Sequence, residues 1–226
     1  MSDSTKGTGD DEMLAFAGVL AGGVARELSR PIRELRELLA IIVDDLDHHV
    51  ASAKGPTPYS WRQVGRLRDR VADAYLVCRK AARLAGDLAF ASSGPPVLGA
   101  VDVNKTIEAA LNLARHRVSS DTELFMDFGA LPSVRSNGAR LMLAVARLIV
   151  SAADATEGAA GTISLTSRRE DDSAVIYIVH DASSDADQLA GAAEASNRIG
   201  KPIGATVEVI ERDGGAGWAL RMPLGH

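Results

Sequence analysis

The chain has 226 residues, 46% of them hydrophobic and 24% charged, which is enough for one large domain or two small ones with their own cores. A formal net charge of -5 argues against a nucleic-acid footprint, since phosphate binding needs a basic domain or face. Only 4% of residues are aromatic and the single cysteine, Cys78, excludes an intramolecular disulfide and a zinc cluster, so close-packed helix must supply much of the interior.

Residues 1–12 are polar, acidic and glycine-containing, and are read as a disordered start. No window approaches the ~18 continuous apolar residues of a membrane span, and a cytoplasmic setting is expected. From Leu14 the apolar positions repeat as heptads, Leu14/Ala17, Ala21/Val24, Leu28/Pro31, Leu35/Leu38 and Ile42, a seam of period 3.5 on a helix ending near His49. Pro31 removes one backbone donor inside that helix and is expected to bend it. After the loop from Ala53 to Pro58, a second helix is capped by Ser60. It carries Val64/Leu67, Val71/Ala74, Cys78/Ala81 and Ala85/Leu88, and stops at Ser92-Ser93-Gly94-Pro95-Pro96. The two seams need more apolar surface than a hairpin offers. The expectation is a homodimeric four-helix bundle over residues 13–93, with Leu28, Leu35, Ala74, Cys78 and Ala81 at its interface.

Past a linker at 94–100 the pattern becomes mixed. A helix is expected at about 105–117, a strand at 123–128, a turn at Gly129-Ala130-Leu131-Pro132 and a helix at about 137–155. Further strands are expected at 161–168, 174–180, 205–212 and 217–223, with Asp213-Gly214-Gly215 as a hairpin turn. Residues 101–226 are therefore read as an α+β domain, a sheet with helices on one face.

Residues 20–32, Leu-Ala-Gly-Gly-Val-Ala-Arg-Glu-Leu-Ser-Arg-Pro-Ile, resemble the phosphoacceptor box of two-component sensor histidine kinases, which runs Ala-His-Glu-Leu-Asn-Asn/Arg-Pro-Leu. Glu27, Leu28, Arg30 and Pro31 match, while Arg26 stands where the family has its nucleophilic His. A guanidinium stays protonated and cannot accept phosphate as a nucleophile. The resemblance extends in order of elements over nearly the whole chain from Met13. It implies a helical hairpin followed by a histidine-kinase-type ATP-binding α/β sandwich.

The family's nucleotide motifs are altered at the matching positions. Its Asn-bearing helix motif corresponds to Arg147-Leu148-Ile149-Val150-Ser151-Ala152-Ala153-Asp154-Ala155, with both Asn replaced, by Arg147 and Ser151. Its Asp-x-Gly-x-Gly motif corresponds to Asp181-Ala182-Ser183-Ser184-Asp185, where Asp181 remains and the glycines have become Ser183 and Asp185. The Gly-x-Gly phosphate cradle has no counterpart between Asp185 and Ala205. His48, His49, His116, His180 and His226 all lack the box context.

The expectation drawn from this is a histidine pseudokinase, not an enzyme, with no catalytic residue, metal or cofactor. It would act by binding a response-regulator receiver domain or a histidine kinase, with no nucleic acid or membrane among its partners. Arg26, Glu27, Arg30 and Arg33 are the candidate partner-binding face, because the resembled family docks an acidic receiver pocket there. A solvated basic stripe balanced by Glu27, Glu34 and Glu37 is the plain alternative. A histidine phosphotransferase using a non-standard His, and a dimeric sensor holding a small ligand in the old nucleotide pocket, also stay open.

Overall fold

A computed structural model describes residues 4–52, 61–92, 98–157, 160–212 and 214–224, excluding the side chains of 4–10, 12, 26, 47–52, 61–64 and 92. The chain divides into two compact units, 24–86 and a second made of 1–23 with 87–226. Helix α1 spans Ser4–Ser52 and α2 spans Trp61–Ser92. The helix thus reaches back to Ser4, through residues expected to be disordered. Extending a formed helix by one residue fixes one residue for one hydrogen bond, so the apolar stretch from Leu14 can carry polar neighbours with it. The expected cap Ser60, the loop 53–58 and the linker residues 94–97 lie outside the described residues, as does Asp213 of the hairpin turn.

In unit 24–86 the α1 seam is the expected one. Val24, Pro31 and Ile42 are buried, and Leu28, Leu35 and Leu38 are half-buried. On α2 the inward positions within this unit are Leu67, Arg70, Ala74, Val77, Ala81 and Leu84, and Leu88, in the other unit, is half-buried. Half of the expected frame is therefore displaced by one residue: positions 70, 77 and 84 face inward, and Val71, Cys78 and Ala85 face outward. Leu67, Ala74, Ala81 and Leu88 keep their expected side, and the inward Arg70 pairs its guanidinium with Asp45 of α1. The outward side of the hairpin then carries Ile32, Leu39, Val43 and Leu46 on α1 and Val71, Tyr75 and Leu76 on α2, all at least 38% exposed.

The other unit is an α/β sandwich. Strand β1 (Gly99–Val101) pairs antiparallel with β3 (Val134–Ser136), a two-stranded ribbon that short strands without periodicity did not announce. Helix α3 covers Val103–Ala114, capped by Asp102, whose carboxylate accepts from Lys105 N–H at 3.1 Å. A 3-10 turn at Arg115–Arg117 completes the segment expected as one helix. Strand β2 is Thr122–Phe128, and α4 is Gly138–Ala155, capped by Asn137. Strands β4 (Gly161–Glu170) and β5 (Ser173–His180), helix α5 (Ala186–Gly200), and strands β6 (Thr206–Arg212) and β7 (Gly215–Pro223) follow.

The main sheet has the order β2-β4-β5-β7-β6. β2 is parallel to β4 and every other neighbouring pair is antiparallel. Helix α4 is buried almost all round, as its run Leu141 to Ala146, each wholly inaccessible, requires. It packs between α3 and α5 and against β5 and β7, where Ile176, Ile178, Trp218 and Leu220 form the sheet's inner face. At the β6 edge, the Asn197 side chain donates to Val207 O at 2.8 Å and accepts from Val207 N–H at 2.7 Å, standing in for a neighbouring strand. Within the same unit Phe16, Ala17 and Leu20 of α1 are buried, and Gly23 leaves room for His116, whose ring lies 1.9 Å from where a Cβ would be. No helix among the described residues is long and apolar enough to cross a membrane.

Candidate functional site

Helix α5, a segment whose sequence does not announce a helix, creates the site. Leu189, Ala192, Ala193, Ser196 and Ile199 of α5 are buried at helical spacing, and Ser196 Oγ donates to Ala144 O of α4 at 3.0 Å. That i, i+3, i+4, i+7 pattern was the available signal, masked by the alanine and glycine content of the segment. Between α4 and α5 opens a cavity of about 400 Å³. Arg147, Ser151 and Asp154 of α4 line it, with Leu189, Ala192 and Ala195 of α5 and Trp218 of β7 as its apolar part.

Charge in the cavity is mostly balanced. Asp154 receives two hydrogen bonds from Arg117, at 2.5 and 3.2 Å, and this pairing raises the Arg117 guanidinium above its ordinary value. Arg198 pairs with Glu194 one turn back on α5 at 2.7 Å. Arg147 differs: its guanidinium lies 5.2 Å from the Phe16 ring centroid, and its buried Nε has no hydrogen-bond acceptor.

Of the candidate nucleotide-site positions, the structure brings Arg147 and Ser151 together in this cavity. Asp181 sits on the other side of the sheet's end, where its carboxylate accepts from Thr162 N–H at 2.8 Å and ties β5 to β4. Ser183 is exposed, and Asp185 caps α5 by accepting from Asp187 N–H at 3.2 Å. Ser184, Gln188, Arg198 and Trp218 line the cavity without having been expected there. Among the described residues no cluster of three or more His, Cys, Asp or Glu side chains could hold a metal ion.

On the hairpin, Glu27 is half-buried and Arg30 and Arg33 are exposed on α1, whereas the Arg26 side chain lies outside the described residues. The side chains of His48 and His49 also lie outside them, as does His226. Of the expected dimer-interface residues, Leu28, Leu35 and Ala81 are half-buried and Ala74 is buried within the single chain, and Cys78 faces outward.

His180, at the end of β5, is 1% exposed and packs against Trp218 with ring centroids 5.7 Å apart. Its Nε2 lies 3.4 Å from Ser184 Oγ. Burial lowers its pKa, and the Ala182 backbone and the Asp181 carboxylate oppose that shift. The unfolded chain therefore binds a proton near pH ~6.5 that the folded chain refuses, so stability should fall as pH drops below that value. A single such proton contributes a slope of up to about 1.4 kcal/mol per pH unit. Melting curves between pH 5 and 7 should show this, and His180→Phe should flatten the dependence. Parallel curves for the two proteins would mean that the ring is protonated inside the fold.

No protein-family model matches the sequence, and no curated protein matches it. Solved structures do match. The histidine kinase ThkA in complex with the response regulator protein TrrA aligns over 100% of this chain and 68% of its own, at 13% identity and a TM-score of 0.50. The nucleotide-free catalytic domain of ThkA aligns over 57% of this chain and 97% of its own, at 13% identity and a TM-score of 0.50. Full-length ShkA in complex with AMPPNP aligns over 89% of this chain and 45% of its own, at 16% identity and a TM-score of 0.50. These neighbours correct the expectation that the chain is not an enzyme, because histidine kinases are enzymes. That expectation rested on single side chains. The chain has the fold of the sensor histidine-kinase core, a helical hairpin followed by the α/β sandwich of the kinases' catalytic domain.

Proposed function

We propose that the protein works in two-component signalling as a homodimer that binds the receiver domain of a response regulator through the α1 side of its hairpin. The observation that carries this reading is the hairpin's surface. It has an exposed apolar stripe, Ile32, Leu39, Val43 and Leu46 with Val71 and Leu76, suited to a second copy. It also has exposed cations, Arg30 within the box at 20–32 and Arg33 just after it. Guanidinium groups pair with carboxylates in two parallel hydrogen bonds, which suits the acidic phosphorylation pocket of a receiver. The likeness to ThkA, whose structure was solved with a response regulator, supports the same partner class. Residues 13–93 would form the dimer and 101–226 the attached sandwich, with Arg26, Glu27, Arg30 and Arg33 as the contact face.

Calorimetry with purified receiver domains of response regulators, in the unphosphorylated and beryllofluoride-activated forms, tests the reading. The double variant Arg30→Glu, Arg33→Glu should weaken binding by about 2 kcal/mol or more, with an affinity that falls as salt rises. Arg212→Glu, on β6 of the sandwich, should change little. Unchanged affinity in the double variant would place the interface elsewhere.

A further inference from the structure

We infer that the cavity between α4 and α5 binds a small monoanion with an apolar body, such as a carboxylate on a hydrocarbon chain, held by Arg147. This goes beyond the proposed binding of a receiver and does not depend on it. The cavity has about 400 Å³, an apolar part formed by Leu189, Ala192, Ala195 and Trp218, and hydroxyls from Ser151 and Ser184 on its wall. Trp218 spends its indole N–H on Leu189 O at 2.9 Å, so it offers the cavity only its ring.

The charges decide the class of ligand. The cation of Arg198 is matched by Glu194 and that of Arg117 by Asp154. Arg147 is the lining cation that no carboxylate answers among the described residues, and one face of its guanidinium is covered by Phe16. What remains facing the cavity is the outer end of a half-buried guanidinium, the fork of its two Nη groups, while its Nε is itself buried without an acceptor. A lone cation beside an apolar wall favours an opposite charge, and a carboxylate presents two oxygens at the spacing of that fork. One net positive charge matches one negative charge. Asp154 on the same wall disfavours a ligand with several, and an uncharged ligand would leave the donors unanswered.

Calorimetry of the full chain with octanoate, octanamide, octylammonium and Mg-ATP reads this directly. Octanoate should bind with a Kd below about 1 mM, and the isosteric amide and the ammonium at least about tenfold more weakly. Arg147→Met keeps a side chain that can rest on Phe16 and should weaken octanoate at least about tenfold. Gly191→Leu closes the cavity mouth from a position where an added Cβ meets nothing within 4 Å. It should abolish octanoate binding while the melting temperature holds or rises, which guards against a misfolded Arg147 variant. The inference is overturned if octanoate does not bind, if acid and amide bind alike, if octanoate binding survives in Gly191→Leu, or if Mg-ATP binds and octanoate cannot displace it.

Discussion

Trp218→Ala should lower the stability of the α/β sandwich by about 3–5 kcal/mol, the range for deleting a large aromatic side chain from a packed core. Trp218 is 1% exposed, lies against His180, and ties β7 to α5 through its hydrogen bond to Leu189 O. The truncation removes three things at once: the buried apolar area, the aromatic contact, and the donor to a carbonyl at the first turns of α5. Trp218→Phe separates them, since it restores most of the ring and leaves the Leu189 carbonyl only its bond within α5. It should cost about 0.5–1.5 kcal/mol, the net contribution of one hydrogen bond. Urea unfolding followed by circular dichroism gives the totals, and hydrogen exchange of the β5 and β7 amides locates them. A loss under about 1 kcal/mol for Trp218→Ala would mean that α5 and the sheet hold together without this contact.

The second large effect concerns the hairpin. If two copies pair through its outward stripe as proposed, Val43→Glu combined with Val71→Glu should convert a dimer into a monomer without loss of helix. Each substitution appears twice in a two-fold interface, so four carboxylates would be buried without partners. A cost of several kcal/mol raises the dissociation constant at least about a thousandfold. Light scattering across micromolar concentrations reads the mass, and far-ultraviolet circular dichroism reads the helix. Val43 and Val71 are 54% and 51% exposed in the single chain, so the hairpin itself gives up little by the change. Ala81→Glu is the instructive contrast. Ala81 is half-buried in the seam of one chain, and a charge there should melt the hairpin as well as the dimer. A wild-type protein that scatters as a monomer would remove the dimer from the proposal.

Elements whose burial pattern is set by neighbours close in sequence were legible from the chain alone. The period of 3.5 announces the α1 seam from Val24 to Ile42 but not its start, where Leu14 is exposed and Phe16 and Leu20 are buried instead, and the continuous apolar run of β5, from Ala174 to Ile178, announces a buried strand. The box at 20–32 points to the fold by itself, because the pattern Glu-Leu-x-Arg-Pro is local. Tertiary structure decided the rest. On α2 half of the expected seam keeps its place and the other half falls one residue earlier, at 70, 77 and 84, and the pairing of Arg70 with Asp45, far off in sequence, is one contact that no local pattern records. Strands β1 and β3 are three residues each, too short to carry a period, and exist because each supplies the other's hydrogen bonds. Helix α5 buries small side chains, whose apolar contrast with alanine-rich solvent faces is slight, so only its packing on α4 sets it apart. For the same reason the cavity was invisible. Arg147 and Ser151 share α4, but the α5 wall and Trp218 come from segments 37 and more residues away, and no local pattern records that they meet.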